Sequence, residues 1–238
     1  MRAKDIIVKP IKAKDAERIV KATHYSGKVA AISQIHFGVF LNGKCGGAMQ
    51  FGPPIDRRNL LPLVEGTKFN NFLELNRMAF ADWLPKNSES RAISVALRII
   101  KKKYPFIDWI VSFADGTQCG DGTIYRASGF VLTQIKKNST ICRLKTGEVA
   151  AKHGTSKKDF NGSKKLPGFQ LRYIYFLNSE SKERLTVPIL PYSEINKRGA
   201  GMYRGKPKRA ASIDADAPDN QSGEGGSNPT AAHQSLDG

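Results

Sequence analysis

The chain has 238 residues and a formal net charge of +17, with 40% hydrophobic and 25% charged residues. This length and composition suit one sizeable domain that folds without disulfide staples. No apolar run approaches the roughly 20 residues that a membrane-spanning helix needs, and the charged start MRAKDIIVKPIKAKD does not resemble a signal peptide. We therefore expect neither a membrane-embedded nor a secreted protein.

The positive charge is distributed unevenly. The segment from Ala211 onward contains five acidic residues and no Lys or Arg, so residues 1–210 carry a net charge of +22. A body this basic indicates a polyanionic partner. No basic amphipathic helix or lipidation motif accompanies the charge, which favours nucleic acid over a membrane surface. A charge that serves only solubility is the alternative.

The cysteines and histidines form no recognisable site. Cys45, Cys119 and Cys142 are odd in number and far apart, and no C-x-x-C pair occurs. Together with the four histidines they show no metal-ligand spacing. We predict no metal site and expect a reduced, cytoplasmic protein.

The chain begins with a strand, a helix and a hairpin. Asp5–Ile11 predicts an edge strand, because Pro10 lacks the N–H that a central strand would use. Lys14–Tyr25 predicts a short helix that the following Ser-Gly ends. Ile35–Leu41 and Cys45–Phe51 predict a hairpin, since the Asn-Gly between them is a strong turn signal.

A strand, a helix and a second strand follow. Asn71–Phe80 predicts the first strand, and the next helix is capped by Asn87 or Ser88 and ends before Pro105. Strict alternation along the strand predicts two faces. Phe72, Glu74, Asn76 and Met78 lie on one face, and Leu73, Leu75, Arg77 and Ala79 lie on the other. Ile107–Ala114 is a nearly continuous apolar run, which is typical of a strand buried on both faces.

The remaining elements are shorter. Gly122–Ser128 predicts a helix capped by Gly129, and Phe130–Ile135 and Phe169–Leu177 predict further strands. The lysine-rich segment AAKHGTSKKDFNGSKKLPG between these strands predicts a mobile surface loop or a loose hairpin.

The last part of the chain is poor in large apolar residues. From Gly205 it is rich in Gly, Ser, Ala, Asp and Pro, so we expect it to be disordered. This divides the chain into one domain over residues 1–204 and a tail over residues 205–238.

The predicted order of elements is that of the Gcn5-related acyltransferase (GNAT) fold. We therefore expect an α/β fold with a central mixed sheet flanked by helices. Ligands of open α/β sheets bind beyond the carboxyl ends of parallel strands. We expect the active site at the polar junctions within residues 71–130, with His24 and Tyr25 brought in from the N-terminal helix.

Four segments resemble one family more closely. HYSGKV (His24–Val29), ELNRM, NSESRAIS and FADGTQCGDGTIYRASGF are together similar to the Mom family of phage DNA-modification proteins. The resemblance covers roughly residues 1–200. It implies a GNAT-like enzyme of the host cytoplasm that acts on double-stranded DNA. The exocyclic amine of adenine would become carbamoylmethylated, which shields phage DNA from host restriction.

The resemblance implies four catalytic residues. His24 would act as base or proton shuttle, Tyr25 as acid or hydrogen-bond donor, and Asp115 would orient the target amine or take its proton. Tyr125 would protonate the leaving group. Ordinary structure explains the same residues: a helix-terminal histidine, core tyrosines and an Asp-Gly turn.

Four further residues are candidates for binding the acyl donor. Arg77 could clamp a phosphate or carboxylate, and Ser88, Ser90 and Arg91 surround the start of the central helix. The loop PKNSESR lacks the glycines with which GNAT enzymes hold the pyrophosphate of acyl-CoA. Two donors therefore stay open, acyl-CoA and an activated glycine such as glycyl-tRNA.

Basic side chains are the candidates for contacts with DNA phosphates. They are Arg57, Arg58, Lys152, Lys157, Lys158, Lys164 and Lys165. The target adenine must leave the duplex, and Tyr25, Phe37 and Trp83 are candidates to stack on it. Two other functions remain open: an acetyl-CoA-dependent acetyltransferase for a protein or small molecule, and a non-catalytic DNA-binding protein.

Overall fold

The computed structural model describes residues 2–152, 155–203 and 205–208. The strands in this part of the chain are β1 (Ile7–Pro10), β2 (Ile35–Leu41), β3 (Lys44–Gly52), β4 (Phe72–Phe80), β5 (Trp109–Gly116), β6 (Val131–Lys137), β7 (Ile141–Arg143), β8 (Val149–Ala151), β9 (Lys164–Lys165), β10 (Phe169–Phe176), β11 (Met202–Tyr203) and β12 (Lys206–Pro207). The α-helices are α1 (Ala13–Thr23), α2 (Arg57–Leu60), α3 (Ser88–Lys103), α4 (Thr123–Ala127), α5 (Lys157–Phe160), α6 (Glu180–Glu183) and α7 (Ser193–Lys197).

A seven-stranded mixed sheet forms the centre, in the order β1-β2-β3-β4-β5-β10-β6. Only the β4–β5 pairing in this sheet is parallel. The expected edge position of the strand containing Pro10 and the Asn42-Gly43 hairpin are both present, and both hairpin residues have positive φ. The predicted α/β fold, with a central mixed sheet flanked by helices, is confirmed.

Helices cover both faces of the sheet. On one face α3 buries Ile93, Ala96 and Ile100 in the largest core cluster. On the other face α1 packs Ala16 and Val20 against β3 and β4. The segment containing α2 covers the neighbouring strands on that second face, where Leu60, Leu63, Phe72, Trp109 and Val111 meet. The site described below lies on the second face, between these two groups.

The predicted alternation along β4 is wrong beyond its middle. Leu75 pairs with Phe51 and Arg77 pairs with Gln50, which leaves Asn76 as the extra residue of a β-bulge. Leu75 therefore joins the cluster under α3, whereas Ala79 packs under α1. Arg77 comes to lie on the same face as Glu74, not on the opposite face. A bulge carries no clear signature in a single sequence.

The two parallel strands separate soon after they meet. Pairing between β4 and β5 covers only Phe72–Glu74 and Trp109–Val111. Beyond these residues β4 continues along β3, and β5 continues along β10. The strands thus form a V-shaped opening with Glu74 near its base, and we call this opening the cleft.

The lysine-rich segment differs from the expected loop or loose hairpin. Strands β8, β7 and β9 form a separate three-stranded sheet. The side chain of Asn138 fixes its start by donating to the carbonyl oxygens of Ile141 and Leu166, at 2.7 and 2.8 Å. Hydrogen bonds of this kind, from a side chain to the backbone, depend on partners that are distant in the sequence, so the local sequence does not predict them.

The first residues of the expected tail are ordered. Strand β12 pairs with β11, and Lys208 Nζ lies 2.5 Å from Oδ2 of the buried Asp121. The described secondary structure therefore continues beyond residue 204. The expected disorder of residues 209–238 lies outside the described residues.

In the described part of the chain, no helix combines the length and apolar character needed to cross a bilayer.

Candidate active site

A tyrosine and an aspartate from distant parts of the chain meet at the end of the cleft. Asp115 lies near the carboxyl end of β5, and Tyr25 follows α1. The Tyr25 hydroxyl donates a hydrogen bond to Asp115 Oδ2 at 3.2 Å. The structure thus brings together two of the four predicted catalytic residues, at the predicted end of the parallel strand pair.

The Asp115 carboxylate is held by donors on both oxygens. Oδ1 accepts from the Thr117 N–H at 2.9 Å and from the Thr117 hydroxyl. Oδ2 accepts from Tyr25 and from Gln118 Nε2, the latter at 3.2 Å. A carboxylate offers about four lone-pair sites, and all are used here. Asp115 is therefore arranged to orient Tyr25. To act as a base, its carboxylate would have to lose one of these four hydrogen bonds.

Tyr25 keeps its proton at neutral pH. Burial of the hydroxyl raises its pKa well above the ordinary value, and the Asp115 carboxylate adds to the rise. The side chain is 53% exposed, so a ligand in the cleft can reach it. This geometry suits a hydrogen-bond donor or general acid with a ring face that a base could stack on.

His24 is neutral at neutral pH, and the contacts of its ring favour one tautomer. Its Nδ1 lies 2.8 Å from the Ser26 hydroxyl oxygen and accepts from the Ser26 N–H at 3.1 Å; because the N–H can only donate, this favours the proton on Nε2. Burial lowers its pKa to about 4, and the positive charge of Arg77 contributes in the same direction. Its ring lies against that of Tyr25, with centroids 4.3 Å apart. Nε2–H is consequently a hydrogen-bond donor. The predicted role of His24 as a base would require a different position of the ring proton.

Arg77 connects the bulged strand to the loop after α1. Its Nε donates to the Lys28 carbonyl oxygen at 2.9 Å, and its Nη1 donates to the Asn76 carbonyl oxygen at 2.7 Å. The charge of Arg77 acts on His24, Tyr25 and Glu74. It therefore belongs with the catalytic candidates of the second face.

Glu74 is a further candidate for the site that the sequence did not indicate. Burial raises its pKa to about 7, although Arg77 and a hydrogen bond from Asn76 oppose the rise. Such a carboxyl exchanges its proton near neutral pH, as an efficient general base does. In the sequence Glu74 appears as one polar residue of an alternating strand, and only the separation of β4 and β5 gives it an opening to face.

Tyr125 approaches the cleft from the α3 side of the sheet. Its ring packs against Phe130 and Tyr173, with centroids 5.5 and 5.4 Å apart. Burial raises its pKa to about 12, the Ser112 side chain opposes this, and Cys119 and Glu74 add to it. Tyr125 is thus both a core residue and a neighbour of the cleft.

The predicted donor-binding residues differ in whether a ligand could reach them. Ser88 is fully buried and its hydroxyl donates to the Pro85 carbonyl oxygen at 2.6 Å, so it fixes the loop before α3. The Ser90 hydroxyl donates to the Asn87 carbonyl oxygen at 3.2 Å, and Arg91 is exposed. Ser88 is not accessible to a donor molecule, whereas Ser90 and Arg91 remain candidates.

The predicted phosphate-binding lysines belong to one part of the fold, the three-stranded sheet with its connections, and we call these exposed lysines the lysine surface. Lys152, Lys157, Lys158, Lys164 and Lys165 are all exposed on the three-stranded sheet or its connections. Lys28 Nζ lies 3.0 Å from Glu148 Oε1, which joins this sheet to the loop that carries Tyr25. The lysine surface is therefore attached to the rim of the site.

The other predicted contact residues differ in their exposure. Arg58 is exposed, whereas Arg57 is half-buried over Phe69. Of the predicted stacking residues, Phe37 is buried in the core and cannot contact a base. Trp83 lies over Gly46 and pairs with Lys44 beside the β2–β3 turn. Tyr25 is the candidate that lies at the cleft.

Metal-binding side chains are not grouped in the described residues. No set of three or more His, Cys, Asp or Glu there could hold a metal ion.

Solved structures with a similar overall arrangement are acetyltransferases. The ribosomal-protein-S18-alanine N-acetyltransferase of Escherichia coli gives a TM-score of 0.43 at 10% identity, covering 73% of this chain and 94% of that chain. A spermidine/spermine N-acetyltransferase of Vibrio cholerae gives 0.44 at 10% identity, covering 76% and 98%. A GNAT family acetyltransferase of Elizabethkingia anophelis with acetyl-CoA bound gives 0.41 at 15% identity, covering 72% and 98%.

Sequence comparison is more specific. The chain is 32% identical over 200 residues to the methylcarbamoylase Mom of Escherichia phage Mu, an alignment that covers 79% of this chain and 82% of the relative. The model of the Mom protein family matches residues 5–194. This chain therefore belongs to the Mom protein family.

Proposed function

We propose that this protein is a phage enzyme that modifies adenine in double-stranded DNA. It transfers an acyl group to the exocyclic amine and yields N6-carbamoylmethyladenine, which protects the DNA from host restriction. The observation that carries the proposal is the Tyr25–Asp115 pair at the cleft. Membership of the Mom family, with a relative named methylcarbamoylase, supports it.

The first step is acyl transfer. The adenine N6 attacks the carbonyl carbon of an activated glycine ester, loses a proton and releases the alcohol of the donor. Glu74, with its pKa of about 7, takes the amine proton. The His24 Nε2–H donates to the carbonyl oxygen as negative charge develops on it. Tyr25, oriented by Asp115, protonates the departing oxygen.

A rearrangement then gives the product. The free amine of the glycyl group attacks the ring carbon C6, and the bond from C6 to the original N6 breaks. That nitrogen leaves as the terminal carboxamide, so the ring carries N–CH2–C(=O)NH2. N6-glycyladenine and N6-carbamoylmethyladenine are isomers, and no further reagent is consumed.

Two donors remain consistent with the site. Glycyl-tRNA supplies the glycine that the rearrangement needs and would suit the net charge of +22 on residues 1–210. Acyl-CoA would use the start of α3 and the exposed Arg91. The loop before α3 lacks the glycines that allow close approach of a pyrophosphate, which favours glycyl-tRNA.

Analysis of DNA nucleosides tests the proposal. The protein is produced in bacterial cells, their DNA is digested to nucleosides, and adenosine adducts are measured by mass spectrometry. We expect carbamoylmethyladenine with the wild-type protein and resistance of the DNA to restriction enzymes. DNA without any adduct, together with tight acetyl-CoA binding, would instead indicate an acetyltransferase for another substrate.

A further inference from the structure

Two exposed apolar side chains lie at and near the turn that follows β3. The turn consists of Pro53, Pro54, Ile55 and Asp56, and Ile55 is 79% exposed. Phe69, from the loop before β4, is 54% exposed. Both side chains line one concavity of about 360 Å³. Because such patches mark interaction sites in soluble proteins, we call Ile55 with Phe69 the apolar tip.

The turn that bears the tip is stiff. Two successive prolines restrict its backbone. The Pro53 carbonyl oxygen accepts from Asn76 Nδ2 at 3.4 Å, and Asp56 Oδ1 accepts from Asn59 Nδ2 at 2.7 Å. The tip is thus anchored directly to the bulge residue of β4, beside the cleft.

Cationic side chains surround the tip. The Arg57 guanidinium lies 4.3 Å from the centroid of the Phe69 ring and donates to Asn70 Oδ1 at 3.2 Å. Arg58 and Lys68 are exposed nearby in the chain. An apolar projection flanked by positive charge is complementary to stacked bases flanked by phosphates.

The tip is close enough to the cleft to act on the same stretch of DNA. Gly52, the last residue of β3, pairs with Glu74. Ile55 follows three residues later, so chain length limits the Cα separation of Gly52 and Ile55 to about 11 Å, and the step across the strand pair to Glu74 adds about 5 Å. Stacked bases rise about 3.4 Å per step, which places the tip within roughly five steps of a nucleotide bound at Glu74.

We propose that Ile55 is a wedge that enters the base stack of duplex DNA beside the target adenine and holds open the space that the extruded base vacates. This inference rests on the proposed function, since it requires adenine in duplex DNA as the substrate. Extrusion costs a few kcal/mol in unstacking and unpairing. An inserted aliphatic side chain offsets part of this cost because it restores contact with the neighbouring bases.

Fluorescence of 2-aminopurine tests the wedge without the acyl donor. The base is placed singly at adenine positions of duplexes that vary the neighbouring bases, and its fluorescence rises when it leaves the stack. Wild-type protein should raise the signal in at least one context. The Ile55→Ala variant should lower that rise by about tenfold, because most of the aliphatic contact with the neighbouring bases is lost.

The Ile7→Ala variant is the matched control. Ile7 is 62% exposed and lies on the edge strand β1, away from the tip. It should reproduce the wild-type signal, and both variants should keep the wild-type melting temperature, because both side chains are exposed. A second set of duplexes places 2-aminopurine opposite an abasic site, where less unpairing is needed. There Ile55→Ala should differ from wild type by less than about threefold.

The outcomes separate the wedge from the proposed function. An unchanged signal with Ile55→Ala, an equal loss on both kinds of duplex, or loss of self-association with unchanged DNA unstacking would each overturn the wedge. The nucleoside assay on cellular DNA decides the proposed function separately. If wild-type cells contain the adduct and Ile55→Ala cells contain the same amount, only the wedge is wrong.

Discussion

The Tyr25 hydroxyl donates to Asp115 Oδ2 at 3.2 Å, although the two residues lie 90 positions apart in the sequence. Asp115 is itself fixed by Thr117 and Gln118. This hydrogen bond thereby fixes the position of the loop after α1 relative to the end of the central strand β5. The pair presents a protonated phenol, not a phenolate, to whatever occupies the cleft, because burial raises the pKa of Tyr25.

Removing the Tyr25 hydroxyl should therefore remove an acid and leave the fold intact. We expect Tyr25→Phe to lower the adenine modification rate by about 100-fold or more. The melting temperature and the affinity for duplex DNA should stay close to those of wild type, because the ring is exposed. The measurement is the adduct level in cellular DNA at matched expression.

Tyr192→Phe is the control for this change. The Tyr192 hydroxyl donates to the Phe130 carbonyl oxygen at 2.5 Å, so its loss also removes one hydrogen bond. Modification should continue with this variant. Equal activity of Tyr25→Phe and wild type would exclude the acid role.

Asp115→Asn should misplace Tyr25. An asparagine amide would direct its own N–H groups at Tyr25 and Gln118, both of which donate to Asp115 now. We expect a loss of stability of about 1–3 kcal/mol and a fall in activity of about 100-fold. Denaturant unfolding and the nucleoside assay measure the two effects. Asp108→Asn, at a carboxylate near Arg184 and Asn178, should reduce stability alone.

Glu74 should control the pH dependence of activity. Burial raises its pKa to about 7, and a base must be deprotonated to act. Activity should therefore rise as the pH increases through about 7. Glu74→Gln should abolish this rise and lower the rate at pH 8 by about 100-fold. A pH profile of adduct formation in vitro measures this, and a profile that Glu74→Gln leaves unchanged would contradict the role.

The same shift predicts a gain in stability from Glu74→Gln. The folded protein holds a proton on Glu74 up to about pH 7, whereas the unfolded chain releases it near the ordinary value of 4.5. Wild-type stability therefore falls as the pH rises from 4.5 to 7, by about 3 kcal/mol in total. Glu74→Gln avoids this loss and should unfold at a higher temperature at pH 8. Glu148→Gln, at an exposed ion pair, should have little effect.

The sequence predicted the parts of the fold that local chemistry determines. Pro10 indicated an edge strand, and Asn42-Gly43 indicated the hairpin turn. Similarly, the apolar run of β5 indicated a buried strand. The sequence also led us to expect Tyr25 near the polar junctions of residues 71–130, and in the structure its hydroxyl contacts Asp115 near the carboxyl end of β5.

Features that depend on several strands at once were not predictable. The bulge at Asn76 changes the face of Arg77, and the separation of β4 from β5 exposes Glu74. Neither has a local signal, because each arises from pairing with β3 and β10. Of the two residues expected to cap α3, Asn87 is the N-cap, whereas Ser88 is the first residue of the helix and its hydroxyl donates to the Pro85 carbonyl oxygen.

Lysines of the three-stranded sheet should govern the salt dependence of DNA binding. Lys164→Gln with Lys165→Gln should weaken binding to any duplex and lower the slope of log K against log salt by up to about 2. Lys102→Gln with Lys103→Gln, two exposed positions at the end of α3, is the charge-matched control. Fluorescence anisotropy across a salt series gives both slopes. Equal slopes for the two double variants would exclude the lysine surface as the phosphate contact.

The path of one nitrogen atom should decide between the rearrangement and direct alkylation. If the glycyl amine attacks C6, nitrogen-15 placed on the exocyclic amine of adenine ends in the terminal carboxamide. Direct transfer of a carbamoylmethyl group would leave the label on the ring-linked nitrogen. Fragmentation of the modified nucleoside separates these positions, because loss of the carboxamide removes only the rearranged label. We expect labelled carboxamide, together with labelled ring-linked nitrogen when the isotope is supplied as glycine instead.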